Sequence, residues 1–147
     1  MNKFANGLYS VVNPQKYLGI KRPRYRSGWE QAFMRFCDMN EHIVKWSSES
    51  VRIPYHNPVT GKQTTYVPDF LIQYRNKNNL VVTELIEIKP KGQSIVESKQ
   101  NNAQRAVVIV NHAKWAAAQA WCRQQGITFR VITEDDIFRQ GGGKRRR

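Results

Sequence analysis

Apolar and polar positions recur along this chain with two different periods, and each change of period marks an element. Over residues 27–40, Trp29, Phe33, Phe36 and Cys37 return at three- and four-residue steps, which predicts an amphipathic helix. Ser27 stands where an N-cap belongs, and Glu30 follows three residues later in the capping-box position. Residues 43–46 and 51–55 read as two short extended pieces, and Pro54 marks the second as an edge strand or a strand end. Residues 57–62 are a turn by composition, and the chain returns as a strand over 63–67. Two runs rich in β-branched and aromatic residues, 69–74 and 80–88, predict a central hairpin across the polar residues 76–79. Residues 90–102 read as a loop or a poorly formed helix. Ala106, Val110, Ala113, Ala117, Ala120 and Trp121 predict a second helix over 103–125, stopped by Gly126, and 127–133 predict a last strand.

Charge changes the picture more than composition does. Twenty-four Lys and Arg stand against eleven Asp and Glu in 147 residues, a formal net charge of +13. A field of that sign favours a polyanion, most simply nucleic acid. The length predicts a single domain over 1–147, with a basic arm at 1–26 and a flexible basic tail at 141–147. Arg22, Arg24, Tyr25 and Arg26 on the arm, with Lys91, Lys99 and Arg105, are the candidate nucleic-acid contacts. No apolar run approaches the length of a membrane span, and no signal-peptide core opens the chain. Cys37 and Cys122 fall in helical, apolar stretches and are expected to be buried free thiols. The four tryptophans are expected in the core.

The acids are few and oddly placed. Asp69, Glu84 and Glu87 lie in or beside the central strands, where unneutralised carboxylates would repel a phosphate unless a metal ion sat between them. Alternate side chains of a strand share a face, so Glu87 and Lys89 point together and Ile88 points away. Closing the hairpin across 76–79 brings Asp69 beside Glu87. Two carboxylates and an ammonium within a few ångströms are the smallest set that holds a divalent metal next to a phosphate. Mg²⁺ keeps several waters, so Asp69, Glu87 and the main-chain carbonyl of Ile88 suffice as its protein ligands. Lys89 would stabilise developing charge or orient the attacking water, and Glu30 would hold a second metal or a water of the first. Taken singly, each residue has a plain structural explanation, and Glu30 is already accounted for by capping. Their joint order on an otherwise apolar framework is what points to chemistry. His42, His56 and His112 with two isolated cysteines give no zinc spacing, and nothing marks a nucleophile.

The order Glu30, Pro68-Asp69, Glu87-Ile88-Lys89 resembles the PD-(D/E)xK nuclease superfamily. More narrowly, Ser27-Gly28-Trp29-Glu30, the run 66–71, Glu87-Ile88-Lys89-Pro90 and the stretch 126–134 are similar to the N-terminal catalytic domain of the Tn7-type transposon endonuclease. With the opening 7–14 included, the likeness extends to the head completion nucleases of T4-like tailed phages and covers nearly the whole chain. The resemblance implies an α/β, restriction-endonuclease-like fold with an αβββαβ core, a central mixed sheet flanked by helices. It implies Mg²⁺-dependent endonuclease or exonuclease cleavage of double-stranded DNA, with Mn²⁺ able to substitute. It places Glu30, Asp69, Glu87 and Lys89 in the active-site slots; apart from the resemblance, Gln104 and Arg105, near the start of the second helix, are candidates for the site or for phosphate contact, beside a plain structural role. For the phage family it implies action on packaged DNA late in assembly, in the host cytoplasm or the virion, with portal or neck proteins as partners. Two other readings stay open. One is a basic, non-enzymatic assembly factor that caps or tethers DNA; the other is a strand-cleaving subunit that works only with a recognition partner.

Overall fold

The computed structural model describes residues 6–133 and 135–136. Helix α1 (Gly28–Met39) follows Ser27, whose hydroxyl accepts the Glu30 N–H, as the sequence predicts. The other half of the cap differs: the Glu30 carboxylate turns back to the N–H of Arg26, not that of Ser27. A carboxylate in the first helical turn is favoured by the helix dipole in either arrangement.

Four strands form the central sheet: β3 (Ile43–Ser48), β6 (Phe70–Arg75), β7 (Val81–Ile88) and β8 (Thr128–Ile132), in the order β3-β6-β7-β8. The first two pairings are antiparallel and β7–β8 is parallel. The parallel return is made by α2 (Asn102–Gln125), the crossover helix that such a pairing requires. Helix α2 runs from a full capping box, Asn101 with Gln104, to Gly126 in the left-handed region at φ 72°. The order α1, β3, β6, β7, α2, β8 is the αβββαβ core. A separate hairpin, β4 (Ile53–His56) with β5 (Gln63–Tyr66), is inserted between its first two strands.

Strand alternation divides the core in two. Phe70, Ile72, Ile86 and Ile88 pack with Phe33, Met34 and Cys37 of α1 on one face. Leu85 and Phe129 pack with Ala118 and Cys122 of α2 on the other. The inserted hairpin adds Ile53, Tyr55 and Tyr66 to that second cluster, which gives a two-stranded unit, marginal alone, something to cover. Glu87, two residues beyond Leu85, is therefore on the α2 side of the sheet. Cys37 and Cys122 are buried free thiols, as expected.

The segment predicted as an irregular arm is folded onto the domain from residue 6 onward. Strands β1 (Gly7–Leu8) and β2 (Arg24–Tyr25) pair, and the Tyr9 N–H reaches the Pro23 carbonyl. The reason is Asp38, fully buried near the C-terminal end of α1, where the dipole disfavours an acid. Three donors from the arm satisfy it: the Tyr9 hydroxyl at 2.7 Å, the Val12 N–H at 2.7 Å and the Asn13 N–H at 3.0 Å. Lys16 caps the same helix end through the carbonyls of Asp38 and Asn40. Residues 1–5 and the predicted tail 141–147 lie outside the described residues.

Candidate active site

The hairpin register decides the site. Phe70 pairs with Ile86, so one further step sets Asp69 opposite Glu87, as the sequence predicts. The two ends are tied by a hydrogen bond of 2.7 Å from the Ile88 N–H to Asp69 Oδ2. On the other edge of β7, the Lys89 N–H goes to the Ile132 carbonyl of β8. N–H and C=O of one strand residue point to the same edge, so the Ile88 carbonyl is directed toward β6 and Asp69. Lys89 Nζ lies 3.6 Å from Glu87 Oε2, the pairing expected of two residues on one face.

Glu87 is only 4% exposed, and Asp69, of intermediate exposure as a residue, keeps its carboxyl turned inward beside it. Burial raises the Asp69 carboxyl well above the ordinary aspartate range, and the charges of Glu87 and then Glu30 push it further. Burial also raises Glu87, with Lys89, a Tyr66 hydrogen bond and Lys114 offsetting part of the effect. Glu30 is raised by burial and eased by the Arg26 N–H. Three carboxylates gathered at one end of a sheet, each harder to ionise than an ordinary carboxylate, form a site short of positive charge. Among the described residues no three His, Cys, Asp or Glu side chains are grouped to hold a metal ion by themselves. Glu30 therefore acts on Asp69 through its field, with its carboxylate engaged at Arg26. The oxygens that could face a cation there are those of Asp69, Glu87 and the Ile88 main-chain carbonyl. Hard oxygens in that number suit a divalent ion that retains waters.

Two residues of the site were not singled out in the sequence. Tyr66, 3% exposed, donates its hydroxyl to Glu87 Oε1 at 2.8 Å. Burial and the Glu87 charge hold its pKa far above the ordinary range, so it remains a donor. Lys114 of α2 has its ammonium 5.7 Å from the Tyr66 ring centroid and is felt by both Glu87 and Asp69. Tyr66-x-x-Asp69 spacing was visible in the sequence. The position of Lys114 depends on how α2 lies across the sheet and had no local signal.

The basic candidates separate into two kinds. Arg22, Arg24 and Arg26 line a cleft of about 870 Å³, joined there by Lys21 of the same basic run and by Arg52, which the sequence did not single out. The cleft adjoins the carboxylates, because the Glu49 N–H at its wall bonds the Asp69 carbonyl. Arg26 is ion-paired with Glu49 in that wall. Tyr25 is half-buried against the α1-side core, its ring over Gly7, where a Cβ would come within 2.7 Å of the tyrosine hydroxyl. It is a packing residue rather than a presented base contact. Arg105 is also structural: its guanidinium braces the carbonyls of Ser98 and Glu97. Gln104 is spent on the helix cap. Lys99 and Lys91 are exposed on the 91–100 segment, and Lys91 approaches Asp135 at 3.8 Å. Glu84 stands apart from the site, paired with Arg130 of β8 at 2.9 Å.

A family model described as TnsA-like endonuclease N terminal matches residues 40–134, which hold Asp69, Glu87 and Lys89. The chain belongs to this family. The TnsA-like endonuclease match begins after Glu30, which α1 contributes from outside it. The chain is also 33% identical over 143 residues to the head completion nuclease of Enterobacteria phage T4, across 90% of this chain and 93% of the relative. That alignment takes in nearly all of this chain, so the likeness is not confined to the TnsA-like portion. No helix among the described residues is long and apolar enough to cross a membrane.

Proposed function

We propose that the protein is a divalent-metal-dependent DNA nuclease that acts in phage head completion, in the host cytoplasm, on packaged double-stranded DNA. The observation that carries the reading is the Asp69–Glu87 juxtaposition across β6 and β7, held by the Ile88 N–H and flanked by Lys89. Membership of an endonuclease family and likeness to a head completion nuclease support it.

Asp69 and Glu87, with the Ile88 carbonyl, would hold Mg²⁺ or Mn²⁺. When bound, such an ion lowers the pKa of a coordinated water and neutralises charge on the scissile phosphate. The chain's own residues do the rest. Asp69 offers Oδ1, since Oδ2 is engaged by the Ile88 N–H. Tyr66 fixes the Glu87 carboxylate so that its Oε2 faces Lys89. Lys89, with its side chain 26% exposed, can place an ammonium on the non-bridging phosphate oxygens while staying anchored at Glu87. Glu30, next to the mouth, would take a proton or position a water. The arginine-lined cleft would hold the adjoining DNA backbone, and portal or neck proteins are the partners this role implies.

Glu87→Gln separates this reading from a non-enzymatic assembly factor. The expected result is loss of plasmid cleavage in Mg²⁺ together with loss of infectious particles in complementation. Full infectivity from a cleavage-dead Glu87→Gln protein would favour the tethering role instead.

A further inference from the structure

A second, smaller cleft of about 320 Å³ lies on the α2 side of the carboxylates, lined by Lys89, Gln93, Asn111 and Lys114. Its remaining wall is Ala106, Val107 and Val110. The cleft is braced: Asn111, 3% exposed, donates to the Gln93 carbonyl at 2.9 Å, and His112 Nε2 lies 2.7 Å from the Ser94 carbonyl. These contacts hold the 3₁₀ turn Lys91–Gln93 onto the first half of α2.

Two ammonium groups at one cleft repel each other unless an anion lies between them. Burial and the neighbouring Lys89 charge disfavour the Lys114 ammonium, and without a cation Glu87 and Asp69 offset part of that. A divalent ion on the carboxylates cancels their two negative charges. The two lysines are then left facing a pocket with no compensating anion. An amide-lined recess with an apolar wall accepts a phosphate oxygen together with the edge of a sugar.

We infer that this cleft is a phosphate subsite for the nucleotide next to the scissile bond, with Lys114 its contact residue, and that occupancy by a divalent ion switches the site on. The inference rests on the metal-dependent reading above. It assigns Lys114 opposite effects on two ligands. Its charge weakens metal binding in the absence of DNA and strengthens DNA binding in the presence of metal.

The test compares wild type, Lys114→Gln, Lys114→Arg and Asp69→Asn. Mn²⁺ binding is measured by calorimetry without DNA, and binding of a short duplex by fluorescence anisotropy with and without Ca²⁺. Lys114→Gln is expected to bind Mn²⁺ on the order of three- to tenfold more tightly and the duplex with Ca²⁺ on the order of tenfold more weakly. Lys114→Arg should keep both wild-type values, and Asp69→Asn should lose Mn²⁺. Unchanged affinities in Lys114→Gln, with Mn²⁺ bound normally by wild type, would overturn the subsite and leave the metal reading standing. Weakening of both ligands, or a Lys114→Gln protein that fails to fold while Lys114→Arg also loses DNA, would make Lys114 a structural residue and overturn it equally. Absence of Mn²⁺ binding by wild type would remove the metal reading itself.

Discussion

Asp69→Asn is expected to abolish DNA cleavage, by about 10³-fold or more, while making the metal-free protein more stable. The first effect follows because a bound ion is worth several kcal/mol to phosphodiester hydrolysis, and each 1.36 kcal/mol is about tenfold in rate. The second follows from the electrostatics of the empty site. Asp69 is raised by burial and by Glu87 and Glu30, so ionising it in the native state costs free energy that the unfolded chain does not spend. A group with a raised native pKa and a negative charged form favours folding at low pH. Its penalty grows as pH rises from the ordinary carboxylate range through the native value, and it is complete above that. Asparagine removes the charge and still offers an oxygen to the Ile88 N–H, which Asp69 Oδ2 now accepts. In a chelator at pH 7 to 8, the variant should melt roughly 3–5 °C above wild type, about 1 kcal/mol for a domain of this size. Adding Mn²⁺ should raise the melting temperature of wild type and leave Asp69→Asn unmoved. Scanning calorimetry with and without the ion reads both effects.

Asp38→Ala is expected to destabilise the fold by about 3 kcal/mol, because it empties a fully buried position and removes the acceptor of the buried Tyr9 hydroxyl and of the part-buried Val12 and Asn13 N–H groups. Burial alone would raise the Asp38 carboxyl. The Val12 N–H, the Tyr9 hydroxyl and the Asn13 N–H outweigh it and hold the group below the ordinary aspartate range. The sign is therefore opposite to that at Asp69. Asp38 contributes stability above the unfolded aspartate pKa, and that contribution is lost as pH falls through the lower native value. Urea unfolding of wild type and Asp38→Asn should show a gap at pH 7 that narrows toward pH 3. Because the same acid docks residues 9–13, the variant should also become sensitive to proteolysis in that segment. Equal urea midpoints at pH 7 would show that the arm docks without Asp38.

Periodicity and local chemistry carried much of this structure. The α2 stripe, its Gly126 stop and the polar gap between β6 and β7 were all legible, because each depends on residues close together in sequence. The hairpin closed across that gap set the register that brings Asp69 opposite Glu87, and period-two alternation put Glu87 and Lys89 on one face. Long-range contacts were not legible. Nothing near residues 9–13 shows that they will satisfy an acid on α1, so the arm read as irregular. Tyr25 and Arg105 looked available because their neighbours are basic or polar, yet one covers Gly7 and the other braces backbone carbonyls. Glu84 looked out of place on an apolar strand until β8 brought Arg130 to it. Lys114 stood among alanines, and only the lay of α2 against the sheet carries it to the carboxylates.

The account depends on Asp69 and Glu87 gripping one ion. The most direct measurement is an anomalous difference map from crystals of the protein with Mn²⁺. It should show a single strong peak bonded to both carboxylates, lost in Asp69→Asn. A peak at another site, or none at Mn²⁺ concentrations that saturate cleavage, would contradict the account.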